Sequence, residues 1–175
     1  MEAGKKAGQH GVTPYKSSLA RLEDAIADLE SRTWQTLQEE IEKAVAFEED
    51  AARLTAEEGA LLKSYMRRDV GDLVSFMKDT GKGLREWLRF DLDVLEDGLK
   101  RSLLAIADHT LTDWQQLEHQ LQHEEGSYVA GEVALPGMLQ CVQCGKMVCL
   151  VDVAEVQACH RCDCAFFRRV TSRRT

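Results

Sequence analysis

At 175 residues, 44% apolar and 30% charged, the chain has a globular or long-helical composition, not a disordered one, and suits one medium domain or a domain with a small appendage. No run approaches the roughly 18 apolar residues a membrane span needs, and the opening MEAGKKAGQHGVTP has no apolar core, so a cytoplasmic protein with no membrane partner is expected. The net charge of −8 is uneven: residues 132–175 hold six basic against four acidic residues, so an acidic body, which repels nucleic-acid backbones, precedes a mildly basic end.

Residues 1–12, rich in Gly and Lys, read as a flexible tail. An acidic α-helical arm or bundle is expected over 13–125. Leu19, Leu22, Ile26, Leu29, Thr33, Leu37, Ile41 and Ala44 recur in steps of three and four, which places them on one helical face. Consecutive four-steps near Thr33 and Leu37 relax the supercoil that a strict coiled-coil heptad would impose. Pro14 suits the first turn of this helix, with Thr13 as its cap.

In the next segment Thr55 and Glu58 form a capping-box pattern, and Leu62, Met66, Val70, Leu73 and Met77 supply a buried stripe. Gly81 and Gly83 end that helix. A third helix is expected from Leu84 to Asp108 on Leu88, Leu92, Leu95, Leu99 and Ile106. A fourth runs from Thr110 to Glu124 on Trp114, Leu117 and Leu121, with no strong breaker between the two. Each stripe must be buried against a neighbour, in an antiparallel hairpin, a small bundle or a homodimer through the helical arm.

Near residue 126 the period changes. Gly126, Gly131, Pro136 and Gly137 mark 126–137 as a linker or first strand, and MVCLVDV, EVQAC and AFFRRV read as β segments of a small unit over 138–175. Four of the six cysteines stand there as Cys141-x2-Cys144, then 14 residues, then Cys159-x2-Cys162. Each pair makes a tight knuckle that aims two thiolates at one point, and a hairpin between them brings four sulfurs around one ion, at about 2.3 Å for Zn2+.

The 44 residues from 132 to 175 are too few to fold on apolar burial alone. A structural zinc supplies on the order of 10 kcal/mol, enough to decide the fold. Iron in a similar thiolate site is the alternative ion, and thiol redox chemistry lacks its usual βαβ context here. Four protein ligands close the shell, which predicts a structural ion, no catalytic residues and no enzyme. Cys149, inside the apolar MVCLV, reads as a small buried hydrophobe. Cys164 is a competing ligand, although Cys159-x2-Cys162 matches the first knuckle.

The expected fold class is thus mainly α: long antiparallel helices or a small helical bundle, followed by a small C-terminal β zinc ribbon with an Arg-rich end. His119 and His123 share a helical face but lack the Glu of a zincin motif, so a solvated helix end is the better reading, and His160 is expected to be exposed. GKGLR at 81–85 lacks the spacing of a phosphate loop, and no Ser-His-Asp set suggests a nucleophilic triad. The closing FFRRVTSRRT places Phe166 and Phe167 beside Arg168, Arg169, Arg173 and Arg174, a composition that contacts bases and phosphates or simply packs and is solvated.

The run GEVALPGMLQCVQCGKM…ACHRCDCAFFRR behind an acidic helical region resembles the bacterial DUF1451 family of zinc ribbon-containing proteins. Gly131, Glu132 and Val133 match the family's lead-in, the four spaced cysteines its metal ligands, and Phe167, Arg168 and Arg169 its ending. Asp163 stands where such ribbons usually carry Gly, which accepts positive φ more readily, and Cys149 and Cys164 are additional. The resemblance implies a fold and a metal but no activity. Read together, the residues predict a non-catalytic protein-interaction or adaptor module with an unidentified protein partner. The alternative is a nucleic-acid- or ribosome-associated ribbon acting through Phe167, Arg168, Arg169, Arg173 and Arg174.

Overall fold

The computed structural model describes residues 7–27, 34–51, 53–112 and 127–171. Helices come first: α1 (Ala7–Ala27), α2 (Trp34–Asp50), α3 (Ala56–Thr80), α4 (Leu84–Leu88) and α5 (Asp97–Thr112). Six short strands follow: β1 (Ser127–Val129), β2 (Val133–Ala134), β3 (Gly137–Cys141), β4 (Met147–Leu150), β5 (Ala154–Glu155) and β6 (Phe166–Arg169). The described helices end at Thr112 and the described strands begin at Ser127, so the change of period expected near residue 126 lies outside the described residues. Among the described residues no helix is long and apolar enough to cross a membrane.

α3 follows its sequence signals closely. The Thr55 side chain accepts the Glu58 amide while the Glu58 carboxylate accepts the Thr55 amide, and Gly81 closes the helix in the left-handed conformation. All five stripe residues, Leu62 to Met77, are buried.

Three expectations are corrected. The first stripe does not form one helix. α1 and α2 fold back on each other, with Ser17 of α1 donating to Glu48 of α2 at 2.6 Å, so Leu19 and Leu22 meet the Leu37 and Ile41 stripe within one core. Of this stripe, Leu19, Leu22, Leu37, Ile41 and Ala44 are buried. Leu29 and Thr33 lie outside the described residues.

Second, α1 begins at Ala7, within the expected tail, so Pro14 lies inside the helix and not in its first turn. A proline there costs about 3 kcal/mol. Tertiary packing outweighs that cost, because Pro14 and its neighbour Tyr15 are both buried against the rest of the fold.

Third, the helix expected from Leu84 to Asp108 is broken. Arg89 ends α4 at φ 65°, and the Asp91 side chain accepts the Asp93 amide to start a single 3-10 turn over Leu92–Val94 before α5 begins. The break turns Trp87 and Leu88 fully into the core, which a straight helix on the same spacing would not require. α5 runs on to Thr112 without interruption, while Trp114, Leu117, His119, Leu121 and His123 lie outside the described residues.

The ribbon holds two antiparallel sheets, one ordered β1-β6-β3-β4 and one pairing β2 with β5. Its own core is Tyr128, Ala134, Leu139, Cys141, Val156, Cys159 and Phe167. Val133, Leu135 and Val153, by contrast, belong to the buried cluster of the helices, so ribbon and helices share a core.

A polar seam joins them. Asp69, which interrupts the apolar stripe of α3, accepts from the Tyr15 hydroxyl at 2.6 Å, the Leu135 amide at 2.9 Å and Arg68 at 3.1 Å. Arg68 also reaches Glu132, and the Tyr128 hydroxyl donates to Asp72 at 2.9 Å. Burial comes first in pushing the Asp72 carboxyl above the usual aspartate range.

Candidate metal centre

The two knuckles are built alike. β3 delivers Cys141, the chain turns, and the Gly145 amide returns to the Cys141 carbonyl at 3.0 Å with Gly145 at φ 70°. In the second knuckle the Asp163 amide returns to the Cys159 carbonyl at 2.7 Å with Asp163 at φ 55°. Asp tolerates this region better than most residues, so the turn keeps its shape without glycine. Each knuckle closes with its first cysteine amide bonded five residues on: Cys141 to the Lys146 carbonyl at 2.9 Å, Cys159 to the Cys164 carbonyl at 3.0 Å. Cys164 thus holds the position of Lys146 in the first knuckle. Its sulfur is within 3.4 Å of the Phe166 amide, and it stands outside the ligand group.

The four ligand sulfurs of Cys141, Cys144, Cys159 and Cys162 all lie within 4.8 Å of one another. The two cross-knuckle edges, Cys141 to Cys162 and Cys144 to Cys159, are both 3.6 Å. A tetrahedron of sulfurs about 2.3 Å from zinc has edges of about 3.8 Å, so the chain holds the thiols at the separation the ion requires. Cys141 and Cys159 are buried, and Cys144 and Cys162 half-buried.

The local electrostatics suit a cation. The amide of Cys144, then that of Gln143, favours the Cys141 thiolate and brings its pKa to about 6. The Arg161 and Cys162 amides likewise lower Cys159. The Cys164 amide acts in the same sense on Cys162. Desolvation and the three neighbouring sulfurs outweigh it and push Cys162 up to about 12. Four thiols this close cannot all ionise alone, so loading with Zn2+ releases protons.

The other sequence-predicted positions divide. Cys149 is exposed, not buried. Along β4, Val148 and Leu150 are the more buried residues and Met147 and Cys149 the exposed ones, an alternation that a wholly apolar run does not reveal. Phe167 and Arg169 are also corrected. Phe167 is fully buried in the ribbon core. The Arg169 guanidinium donates to the Tyr128 hydroxyl at 2.8 Å and to the Pro136 and Leu135 carbonyls at 2.8 and 3.0 Å, and it stacks over Trp87. Phe167 is closed to a partner, and the Arg169 guanidinium is taken up by groups of the fold itself.

Gly137 explains how the arginine fits, since a Cβ there would lie 2.0 Å from the Arg169 guanidinium. Phe166 and Arg168 are exposed, as is His160, while Arg173 and Arg174 lie outside the described residues. The seam residues Tyr15, Asp69, Tyr128 and Trp87 were not anticipated. The available signal was Asp69 itself, a carboxylate set three residues after Met66 and four before Leu73 in an otherwise apolar stripe.

The family model of the DUF1451 zinc-ribbon containing domain matches residues 24–171. No curated protein and no solved structure gives a significant match. Since the match spans both the helices and the ribbon, and the four spaced thiols sit where one zinc ion needs them, the chain belongs to the DUF1451 zinc-ribbon family.

Proposed function

We propose that the chain is a non-catalytic binding module of the cytoplasm, in which zinc fixes the ribbon and the outer face of the ribbon sheet docks a protein partner. The observation that carries this reading is the apolar character of that face. Val142, Phe166 and Met147 are 56, 54 and 40% exposed, where a sheet face turned only to solvent would carry polar side chains. In their midst Arg168 is held by Gln140, whose Oε1 accepts from both Nε and Nη2 at 3.1 and 2.6 Å. An aromatic and an arginine ringed by aliphatic groups is the composition of protein interfaces. The partner it suits is a protein segment with an apolar anchor and a carboxylate for Arg168. Four thiolates around the ion leave no position for water or substrate, which supports a structural metal.

A second reading has one observation in its favour: Phe166 and Arg168 are exposed together, as base stacking and phosphate contact require. Against it stand the net charge of −8 and the withdrawal of Phe167 and Arg169 into the fold. Affinity capture from lysate decides between them, using the zinc-loaded full chain and its Phe166→Ser and Arg168→Ala variants, each with and without nuclease. The protein-docking reading expects a defined protein that survives nuclease and is lost with Phe166→Ser. Material that vanishes with nuclease, and whose retention falls steeply with salt, would establish the nucleic-acid reading instead.

A further inference from the structure

Among the described residues β4 is an edge strand, with β3 as its only strand neighbour. The Cys141 amide bonds the Lys146 carbonyl, so by antiparallel alternation Lys146, Val148 and Leu150 turn their amides and carbonyls toward β3. Met147, Cys149 and Val151 turn theirs outward, and among the described residues these groups make no backbone bond outside the sheet. The side chains of the same three residues are exposed. Edges of this kind are normally blunted by a proline, a bulge or a charge; Met147 to Val151 carries no proline or charge, and its pairing with β3 runs without a bulge.

The segment from 146 to 152, KMVCLVD, is complementary to itself when reversed. Laid antiparallel on a copy with Cys149 opposite Cys149, it sets Met147 opposite Val151, Val148 opposite Leu150 and Lys146 opposite Asp152. Every outward-facing amide then meets an outward-facing carbonyl. Every side-chain pair is either apolar or of opposite charge. A slip of one residue would set outward groups against inward ones, and a slip of two would place Lys146 opposite Leu150 or Asp152 opposite Val148. Asp152 already accepts from Lys16 at Oδ2 and from the Val153 amide at Oδ1, yet its side chain stays 41% exposed.

We propose that a second copy of the chain pairs with the free edge of β4, antiparallel, with the two Cys149 residues facing each other across the two-fold axis. The pairing joins two four-stranded sheets into one and is isologous, so it closes as a dimer. It uses the free edge of β4 and shares Met147 with the proposed docking face, so Phe166→Ser, which should leave the dimer unchanged, separates the two readings. So short a seam buries far less than the roughly 1,600 Å² of a standard interface, which places its dissociation constant in the micromolar range, about 1–100 μM.

Sedimentation of the reduced, zinc-loaded full chain tests it over a concentration series reaching several times the upper limit of that range. The expected result is a reversible rise from the monomer mass of 19.7 kDa toward twice that value. Cys149→Pro removes an outward amide without removing a bond to β3, and should weaken the dimer at least about tenfold. Met147→Lys serves as a second edge variant should the proline disturb the fold, with one zinc per chain as the check on folding for both.

Diamide reports the register. Opposed Cα atoms in a hydrogen-bonded antiparallel pair are about 5.5 Å apart, within disulfide range. One diamide takes two electrons and two protons from the facing thiols and joins the two sulfurs. Wild type should give a covalent dimer, while Cys149→Ser should give none yet sediment with an unchanged dissociation constant. A chain that stays monomeric throughout, a dimer indifferent to both edge variants, or a cross-link that persists in Cys149→Ser would each overturn the proposal.

Discussion

Among the described residues the buried cluster of the helices holds 24 residues, all Leu, Ile, Val, Met or aromatic and three of them lent by the ribbon, whereas the ribbon's own cluster has seven, two of them zinc ligands. In the helices, stripes on long elements sum enough apolar burial, at roughly 25 cal/mol per Å², to hold the body without help. The ribbon's strands run two to five residues and cannot do this. It relies on two outside supports: a zinc that ties the knuckles, and a seam in which Val133, Leu135 and Val153 enter the helical core, Asp69 of α3 accepts the Leu135 amide and Arg169 of the ribbon stacks over Trp87. The contrast teaches that this ribbon is not an appendage on a tether. Its fold depends on an ion at one end and on α3 at the other.

The largest effect should come from the metal. Cys159→Ser is expected to abolish zinc binding and remove on the order of 10 kcal/mol of ribbon stability. Metal analysis and amide exchange of the ribbon strands check this, and circular dichroism should still show helices at low temperature. Because the cores are shared, the melting midpoint of those helices should also fall. An unchanged midpoint would mean the ribbon lends the body nothing.

Asp69→Ala tests the seam from the helical side. It strands the Tyr15 hydroxyl, the Leu135 amide and part of the Arg68 charge, and should cost about 3–5 kcal/mol in denaturant unfolding. Helical and ribbon probes should move together, since Asp69 belongs to both regions.

Glu48 offers a smaller effect confined to the helices. Burial pushes its carboxyl up, but hydrogen bonds from Ser17, Arg53 and Arg21 prevail and hold it below the ordinary glutamate range. A carboxyl depressed in the folded state contributes stability that is present above its unfolded pKa of about 4.3 and is lost as pH falls through the folded value. Glu48→Gln should therefore be less stable than wild type at pH 7, and the gap should close on acidification below about pH 4. A gap independent of pH would mean that the charge is not what the site uses.

Asp163→Gly is the smallest change and the one expected to stabilise, by up to about 1 kcal/mol, because glycine occupies φ 55° without the Cβ cost. Thermal unfolding of the zinc-loaded protein measures it. A loss of stability instead would show that the Asp163 side chain contributes something beyond the turn.

Local signals carried far in this chain. The zinc site was legible because its four ligands lie within 22 residues, and the two-residue gap in each pair dictates a knuckle whatever surrounds it. The limits of α3 were equally legible, since a capping box and a left-handed glycine act within one turn of the residues they cap. Only the tertiary structure decided the rest, because the deciding partner is distant in sequence. Whether the first stripe runs straight or folds back depends on what covers Leu19, and the break after Arg89 depends on where Trp87 finds a core. Cys149 is exposed because its register against β3 turns its side chain to the more exposed face of the sheet. Arg169 became a structural residue because Tyr128, the Leu135 and Pro136 carbonyls and the bare Cα of Gly137 converge around it, 32 to 41 residues away. Spacing reports which groups can meet within a turn; which face is buried, and which arginine is left for solvent, is settled by elements the same residues cannot see.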